Sequence, residues 1–269
     1  MKNSYELEQS LGAEYQYILN CDKMEIDNPN RHYFLRLSYL DRIQTIIREI
    51  KKRAPDPTIV TVAEFGCAQG NMSLLLAEAG YRTIAIDIDP LFLEYSKRKH
   101  ERGDVQWIKS GIDQLRLPEN SLDIAILGEV VEHCAYPEDI IENIFRYLKL
   151  GGLLIITTPN GARLKTGLQT FSKFSKKEQR KIFESKQFGP AGPDHLFLFR
   201  LDELDLILPS DAHPLSKGYL GSTIVINRYT YQFFKWLPVH VLERSIRALA
   251  QLPIFNALTF NNIYVVVGK

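Results

Sequence analysis

Glu129, Glu132 and His133 stand in one short stretch of this chain, and His195 follows downstream. Residues of these types can do two kinds of chemistry. A histidine near neutral pKa can take the proton from an attacking hydroxyl. Alternatively, two carboxylates and two imidazoles can hold a divalent ion that lowers the hydroxyl's own pKa. A third possibility is that both histidines are structural. Consecutive residues on a regular strand face opposite ways, so Glu132 and His133 can ligate together only from a loop or a helix start.

A second constellation lies upstream. Ile59, Val60 and Val62 form an apolar, β-branched run expected to be a strand buried on both faces. Glu64 follows, then Gly66-Cys67-Ala68-Gln69-Gly70, and Ser73–Ala79 reads as helix. Small residues at a strand-to-helix turn let the backbone approach a ligand, and the helix start offers unpaired N–H groups. A second apolar run, Thr83–Ile88, carries Asp87, placed to accept both hydroxyls of a ribose. The two signals together point to a nucleoside ligand. The glycine spacing is not the G-x-G-x-x-G dinucleotide fingerprint, which argues against a nicotinamide-dependent oxidoreductase.

The elements that must position these groups follow a regular rhythm. Phe34–Lys52 is an amphipathic helix with Leu37, Leu40, Ile43, Ile46, Ile47 and Ile50 on one face. Its other face carries Arg42, Arg48, Lys51 and Lys52, and Ala54–Pro57 stops it. Beyond Asp89-Pro90 a helix runs through Leu93–Arg102. Strands are expected at Val105–Lys109, Ile124–Leu127 and Leu153–Thr157, and a helix over Pro137–Leu150 closed by Gly151-Gly152. Strands alternating with helices require a parallel sheet with right-handed crossovers. Asp202–Leu208 reads as a further helix, and Thr223–Asn227 and Ile263–Val267 as an antiparallel edge pair. Between those two, Tyr231–Leu252 is helical, with an aromatic stripe suited to core packing, a homodimer interface or a membrane surface.

These segments resemble the class I S-adenosylmethionine (SAM) methyltransferases. Glu64 to Gly70 is similar to their motif E/D-x-G-x-G-x-G, with Ala68 in place of the middle glycine. The run from Glu129-Val-Val-Glu-His133 to Thr158-Pro-Asn160 resembles the E-x-x-E-H…T-P-N block of ubiquinone-biosynthesis O-methyltransferases. Leu35-Arg36-Leu37-Ser38-Tyr39 resembles the segment preceding the first motif there. The resemblance implies a Rossmann-like, doubly wound, seven-stranded α/β sheet, mostly parallel with an antiparallel C-terminal edge pair. It also implies SAM contacts from Arg36 (a clamp for its carboxylate), Glu64, Gly66, Cys67, Ala68, Gly70, Asp87, Ile88 and Glu129, with Ile112 and Asp113 beside the adenine. His133 and His195 are the implied catalytic residues. The E-x-x-E-H…H set is also similar to the metal-binding arrangement of small-RNA 3′-terminal 2′-O-methyltransferases, so Glu129, Glu132, His133 and His195 are a secondary option for a divalent metal.

The same reading divides the chain into an N-terminal helical cap (1–57), a SAM-binding core (58–160), a basic lid (161–200) and a segment completing the sheet (201–269). In the lid Arg163, Lys165, Lys173, Lys176, Lys177, Arg180, Lys181 and Lys186 outweigh Glu178 and Glu184, which favours an anionic substrate. Phe171, Phe174, Phe183, Phe188, Phe197 and Phe199 would suit a cofactor precursor, lipid, sugar or other metabolite as acceptor.

With 269 residues, 45% apolar and 24% charged, the chain has a globular composition. Its net charge of +1 argues against a dedicated nucleic-acid wrapper. The three cysteines include no C-x-x-C pair, so reduced thiols and a cytoplasmic setting are expected. The start of the chain lacks a signal-peptide core, and no apolar run reaches transmembrane length. A small-molecule O-methyltransferase is the leading expectation. An RNA-terminal 2′-O-methyltransferase and a protein that binds SAM without transfer are the alternatives.

Overall fold

The computed structural model describes residues 1–27, 33–163, 167–185, 195–222 and 260–269, with isolated positions between 236 and 248. Side chains of 27, 33–37, 183–185 and 222 are outside that description. Helices α1 (Ser4–Glu8) and α2 (Gln16–Asp22) lead into a π-helical turn, Lys23–Asp27, and then α3 (Tyr33–Arg53). Strand β1 (Thr61–Phe65), α4 (Asn71–Glu78), β2 (Arg82–Asp87), α5 (Pro90–Lys99) and β3 (Asp104–Lys109) form the first half of the sheet. After β4 (Leu122–Gly128) come α6 (Pro137–Tyr147), β5 (Leu148–Pro159) and α7 (Lys176–Ser185). Strands β6 (His213–Ser222) and β7 (Phe260–Gly268) complete the sheet.

The seven strands lie in the order β3-β2-β1-β4-β5-β7-β6. All neighbours pair in parallel except at β7, which is antiparallel to β5 and to β6. This is the expected Rossmann-like α/β arrangement. Alternate residues leave each strand on opposite faces, and both faces are covered. Val62, Ile124, Ile126 and Ile155 meet Ile43, Ile46 and Ile50 of α3 and Met72 and Leu76 of α4. Ala63, Phe65, Ala125 and Leu127 meet Ile141, Ile144 and Phe145 of α6.

Several expectations change. Ile59 is not in the first strand: Pro57–Ile59 is a 3-10 turn whose Asp56 cap accepts from the Thr58 N–H at 3.0 Å, leaving Ile59 77% exposed. The helix expected to reach Leu150 ends at Tyr147. Leu148 is drawn into the sheet opposite Leu122, and Gly151 takes φ +77° in an irregular stretch of β5. Glu203–Ile207 is a 3-10 rather than an α-helical turn. The described antiparallel partner of β7 is His213–Ser222, while Thr223–Asn227 and most of Tyr231–Leu252 lie outside the described residues, as does the homodimer face placed there. Phe171, Phe197 and Phe199 do not line an acceptor pocket. They are buried against one another at centroid separations of 5.1 to 5.4 Å, a core cluster beside α6. No helix among the described residues is long and apolar enough to cross a membrane.

Candidate active site

The glycine corner sits where β1 hands over to α4, beyond the C-terminal ends of the parallel strands, where open α/β sheets bind ligands. Gly66, Ala68 and Gly70 have φ of +74°, +45° and +78°. These left-handed values suit glycine and strain alanine. A methyl on Gly66 would lie 2.7 Å from Val130 Cγ2, so the corner has no room for a side chain there. The Gly66 and Cys67 N–H groups donate to the Ile86 carbonyl at 2.8 and 2.9 Å, which ties the corner to β2.

Three carboxylates frame this corner. Glu64 accepts from the Ser73 N–H at 2.9 Å and from the Ser73 hydroxyl at 2.5 Å. Burial, partly offset by those Ser73 bonds, pushes its carboxyl up to about 7. Asp87 accepts from the N–H of Ala68 at 2.8 Å and of Asp89 at 2.9 Å. Burial raises its pKa as well, against those same bonds. Glu129, itself at φ +60°, accepts from the Thr157 hydroxyl at 2.8 Å and the Asn262 amide at 2.5 Å.

Glu64, Gly66, Cys67, Ala68 and Glu129 line one cavity of about 180 Å³, together with Glu25, Arg42, Gln69, Asn71 and Gly128. Drug-sized ligands occupy roughly 300–1,000 Å³, so this cavity has room for part of a nucleoside ligand. Asp87 and Ile88 lie on the adjoining rim. Ile88 Cδ1 is 3.8 Å from the position a Cβ on Gly111 would take, and Asp113 Oδ1 is 2.7 Å from it, so the Ile112–Asp113 turn borders the same edge. The bare backbone at Gly66, acceptors on both flanks and a carboxylate at the end of β2 are features that could hold the nucleoside and amino-acid portions of SAM.

Arg36 lies on α3, but its side chain is outside the described residues. The arginine that reaches the cavity is Arg42, which the amphipathic pattern places on the solvated face. Its Nη2 donates to Glu25 Oε1 at 2.8 Å, and its Nη1 lies 3.7 Å from Glu129 Oε1. Burial disfavours its charge, but Glu129 and Glu25 outweigh that and hold its pKa above the ordinary arginine value. The periodicity does carry a sign of this, because Arg42 stands four residues before Ile46 on the buried stripe. Glu25, Gln69 and Asn71 are also additions. Glu25 carried no signal in the polar N-terminal segment.

The carboxylate and histidine set divides in two. Val131–His133 is a 3-10 turn after β4, so the neighbours Glu132 and His133 can serve one point in space. Ligand-capable atoms of Glu132, His133 and His195 all lie within 4.8 Å of one another. The two imidazoles meet edge to face at a centroid distance of 5.0 Å. Glu132 is 0% exposed. Its Oε2 accepts from the Thr158 hydroxyl at 2.9 Å, while its Oε1 has no hydrogen-bond partner among the described residues and lies 3.8 Å from His195 Nε2. Burial and the neighbouring Glu129 push the Glu132 carboxyl well up. Glu129 is not part of this cluster: its carboxylate is taken by Thr157, Asn262 and Arg42, so the four-residue metal set reduces to three. The cysteines Cys21, Cys67 and Cys134 are free thiols.

Residues 63–156 match the methyltransferase domain family. A Mycolicibacterium smegmatis protein named for SAM-dependent methyl transfer is 28% identical over 109 residues, which is 40% of this chain and 42% of that protein. The ubiquinone biosynthesis O-methyltransferase of Rickettsia typhi is 28% identical over 121 residues, 44% of this chain and 49% of its own. The chain thus spans less than half the length of these curated relatives. Among solved structures, geranyl diphosphate methyltransferase in complex with SAM superposes with a TM-score of 0.53 at 13% identity, covering 90% of this chain and 92% of that one. A SAM-dependent methyltransferase from Mesorhizobium loti gives 0.52 at 12% identity, covering 82% and 96%. These two likenesses establish the fold.

Proposed function

We propose that this chain, whose residues 63–156 match the methyltransferase domain family, transfers the methyl group of SAM to a hydroxyl of a small acceptor. The observation that carries the reading is the convergence of Glu64, Gly66, Ala68 and Glu129 on one cavity, with His133 just beyond the end of β4 and His195 packed against it. Bound SAM supplies a methyl already activated by its sulfonium, so the protein's part is proximity and in-line orientation. Gly66 and Ala68 let the donor lie against the backbone, and Arg42 is positioned to take its carboxylate. The acceptor oxygen forms the new bond to carbon as the carbon–sulfur bond breaks, and its proton passes to an imidazole of His133 or His195. The imidazolium formed on His195 has Glu132 Oε1 3.8 Å away to stabilise it. The exposed Lys177 and Lys181 of α7 favour an anionic acceptor.

The test is single-turnover methyl transfer from labelled SAM to a panel of phenolic and carboxylated hydroxy compounds. His133→Ala and His195→Ala should lower the rate by about 10²–10⁴-fold for whichever residue is the base. Undiminished transfer by both variants overturns the assignment.

A second reading has one observation in its favour. The buried, unpartnered Oε1 of Glu132, with His133 and His195 within reach, suits a divalent cation that would bind the acceptor oxygens. Titration with Mn²⁺ should then show one site, lost in Glu132→Gln. Transfer that is indifferent to chelator excludes it.

A further inference from the structure

Glu25 belongs to none of the sequence motifs, yet it reaches the centre of the site. It is 7% exposed on the turn after α2. Its Oε1 accepts from Arg42, and its Oε2 accepts from the side-chain amides of Asn71 (2.9 Å) and Gln69. Gln69 belongs to the glycine corner and Asn71 opens α4, and both line the cavity. The turn is pinned from behind by Asp22, fully buried, which accepts from Lys99 Nζ at 2.5 Å, the Tyr95 hydroxyl at 2.6 Å and Asn71 at 2.9 Å. The N-terminal segment therefore delivers a fixed carboxylate into a cavity already holding Glu64 and Glu129. Among the described lining side chains Arg42 is the one cationic residue, so there three acids face one base.

That imbalance matters because the donor and its product differ in charge. SAM carries a sulfonium, an ammonium and a carboxylate, for a net +1. S-adenosylhomocysteine has lost the sulfonium charge and is neutral overall. We propose that Glu25 is a specificity-determining residue: by adding the third carboxylate it makes the site favour the cationic donor over the neutral product, and so favours product release after each turnover. The inference rests on the SAM reading above and extends it to the direction of exchange. Burial is the main cause of the upward shift at Glu64, and the Glu25 carboxylate adds to it. Two carboxylates facing each other in a dry pocket gain from a cation placed between them.

The experiment is calorimetric titration of the full chain with SAM, S-adenosylhomocysteine and adenosine, in the native protein, Glu25→Gln and Glu25→Asp. Glu25→Gln keeps the shape and removes the charge. It should weaken SAM about tenfold while changing S-adenosylhomocysteine and adenosine much less, and Glu25→Asp should retain most of the preference. Equal changes for donor and product in Glu25→Gln, in either direction, overturn the proposal and make Glu25 a structural clamp. Equal losses in Glu25→Asp with an unchanged melting temperature do the same. A native protein that binds none of the three ligands removes the SAM reading, and the proposal with it. Binding of adenosine with no donor preference removes the proposal alone.

Discussion

The N–H of Ala68 donates to Asp87 Oδ2 at 2.8 Å, joining the glycine corner after β1 to the carboxylate that ends β2. Asp87 thus has two tasks. It holds the corner in its left-handed path, and under the proposed SAM reading it would also accept from a ribose. The Asp89 N–H, at 2.9 Å from Oδ1, fixes the same carboxylate from the other side.

Removing that carboxylate should therefore cost both stability and ligand binding. Asp87→Ala leaves two backbone N–H groups without their acceptor, a loss of about 2 kcal/mol. SAM affinity should fall at least about tenfold, which calorimetric titration and urea unfolding read separately. Asp87→Asn, which keeps one acceptor oxygen, should recover part of the stability.

Ala68 offers a prediction of the opposite sign. Its φ of +45° is strained for a residue with a Cβ, by roughly 1 kcal/mol. Ala68→Gly should raise the melting temperature by about 2–4 °C, as expected for a chain of this size. An unchanged or lower value would show that the methyl group makes compensating contacts.

Glu64 sets a pH dependence. Its folded pKa of about 7 stands above the ordinary 4.5. The stability contribution of the neutral carboxyl is thus fully present below about pH 4.5 and is lost as pH rises through about 7. By linkage, the loss reaches about 3 kcal/mol above pH 7. Glu64→Gln, which stays neutral, should gain stability over the native protein progressively across that window. A cation bound beside Glu64 lowers its pKa, so SAM binding near pH 7 should release protons, measurable as a dependence of the binding heat on buffer ionisation enthalpy. Proton uptake would contradict this.

Much of the fold was legible because strand and helix periods dominate wherever both faces of the sheet are covered. Thr83–Ile88 and Ile124–Leu127 read as strands, and β2 and β4 run over Arg82–Asp87 and Leu122–Gly128, which leaves Ile88 just outside the sheet. The misreadings have local causes. Pro55 and Pro57 with the Asp56 cap bend the chain before β1, which turns Ile59 outward. Gly151-Gly152 carry a helix-stop signal, but the pairing of Leu148 with Leu122 pulls the chain into β5 sooner. In the candidate site, the corner was legible as a turn because its residues act locally within it. Glu25 and Arg42 were not, because their roles depend on where α2 and α3 meet the sheet. Nothing local distinguishes Glu25 from a solvated acid, and only its four-residue spacing from Ile46 marks Arg42.

The most direct measurement is calorimetric titration of the full chain with SAM, compared with the Gly66→Val variant. A valine there must displace Val130 Cγ2, which already lies 2.7 Å from the first added carbon. The account predicts saturable one-site binding by the native chain, weakened at least about a hundredfold, or about 3 kcal/mol, in the variant. No binding by the native chain, or equal binding by both, would contradict it.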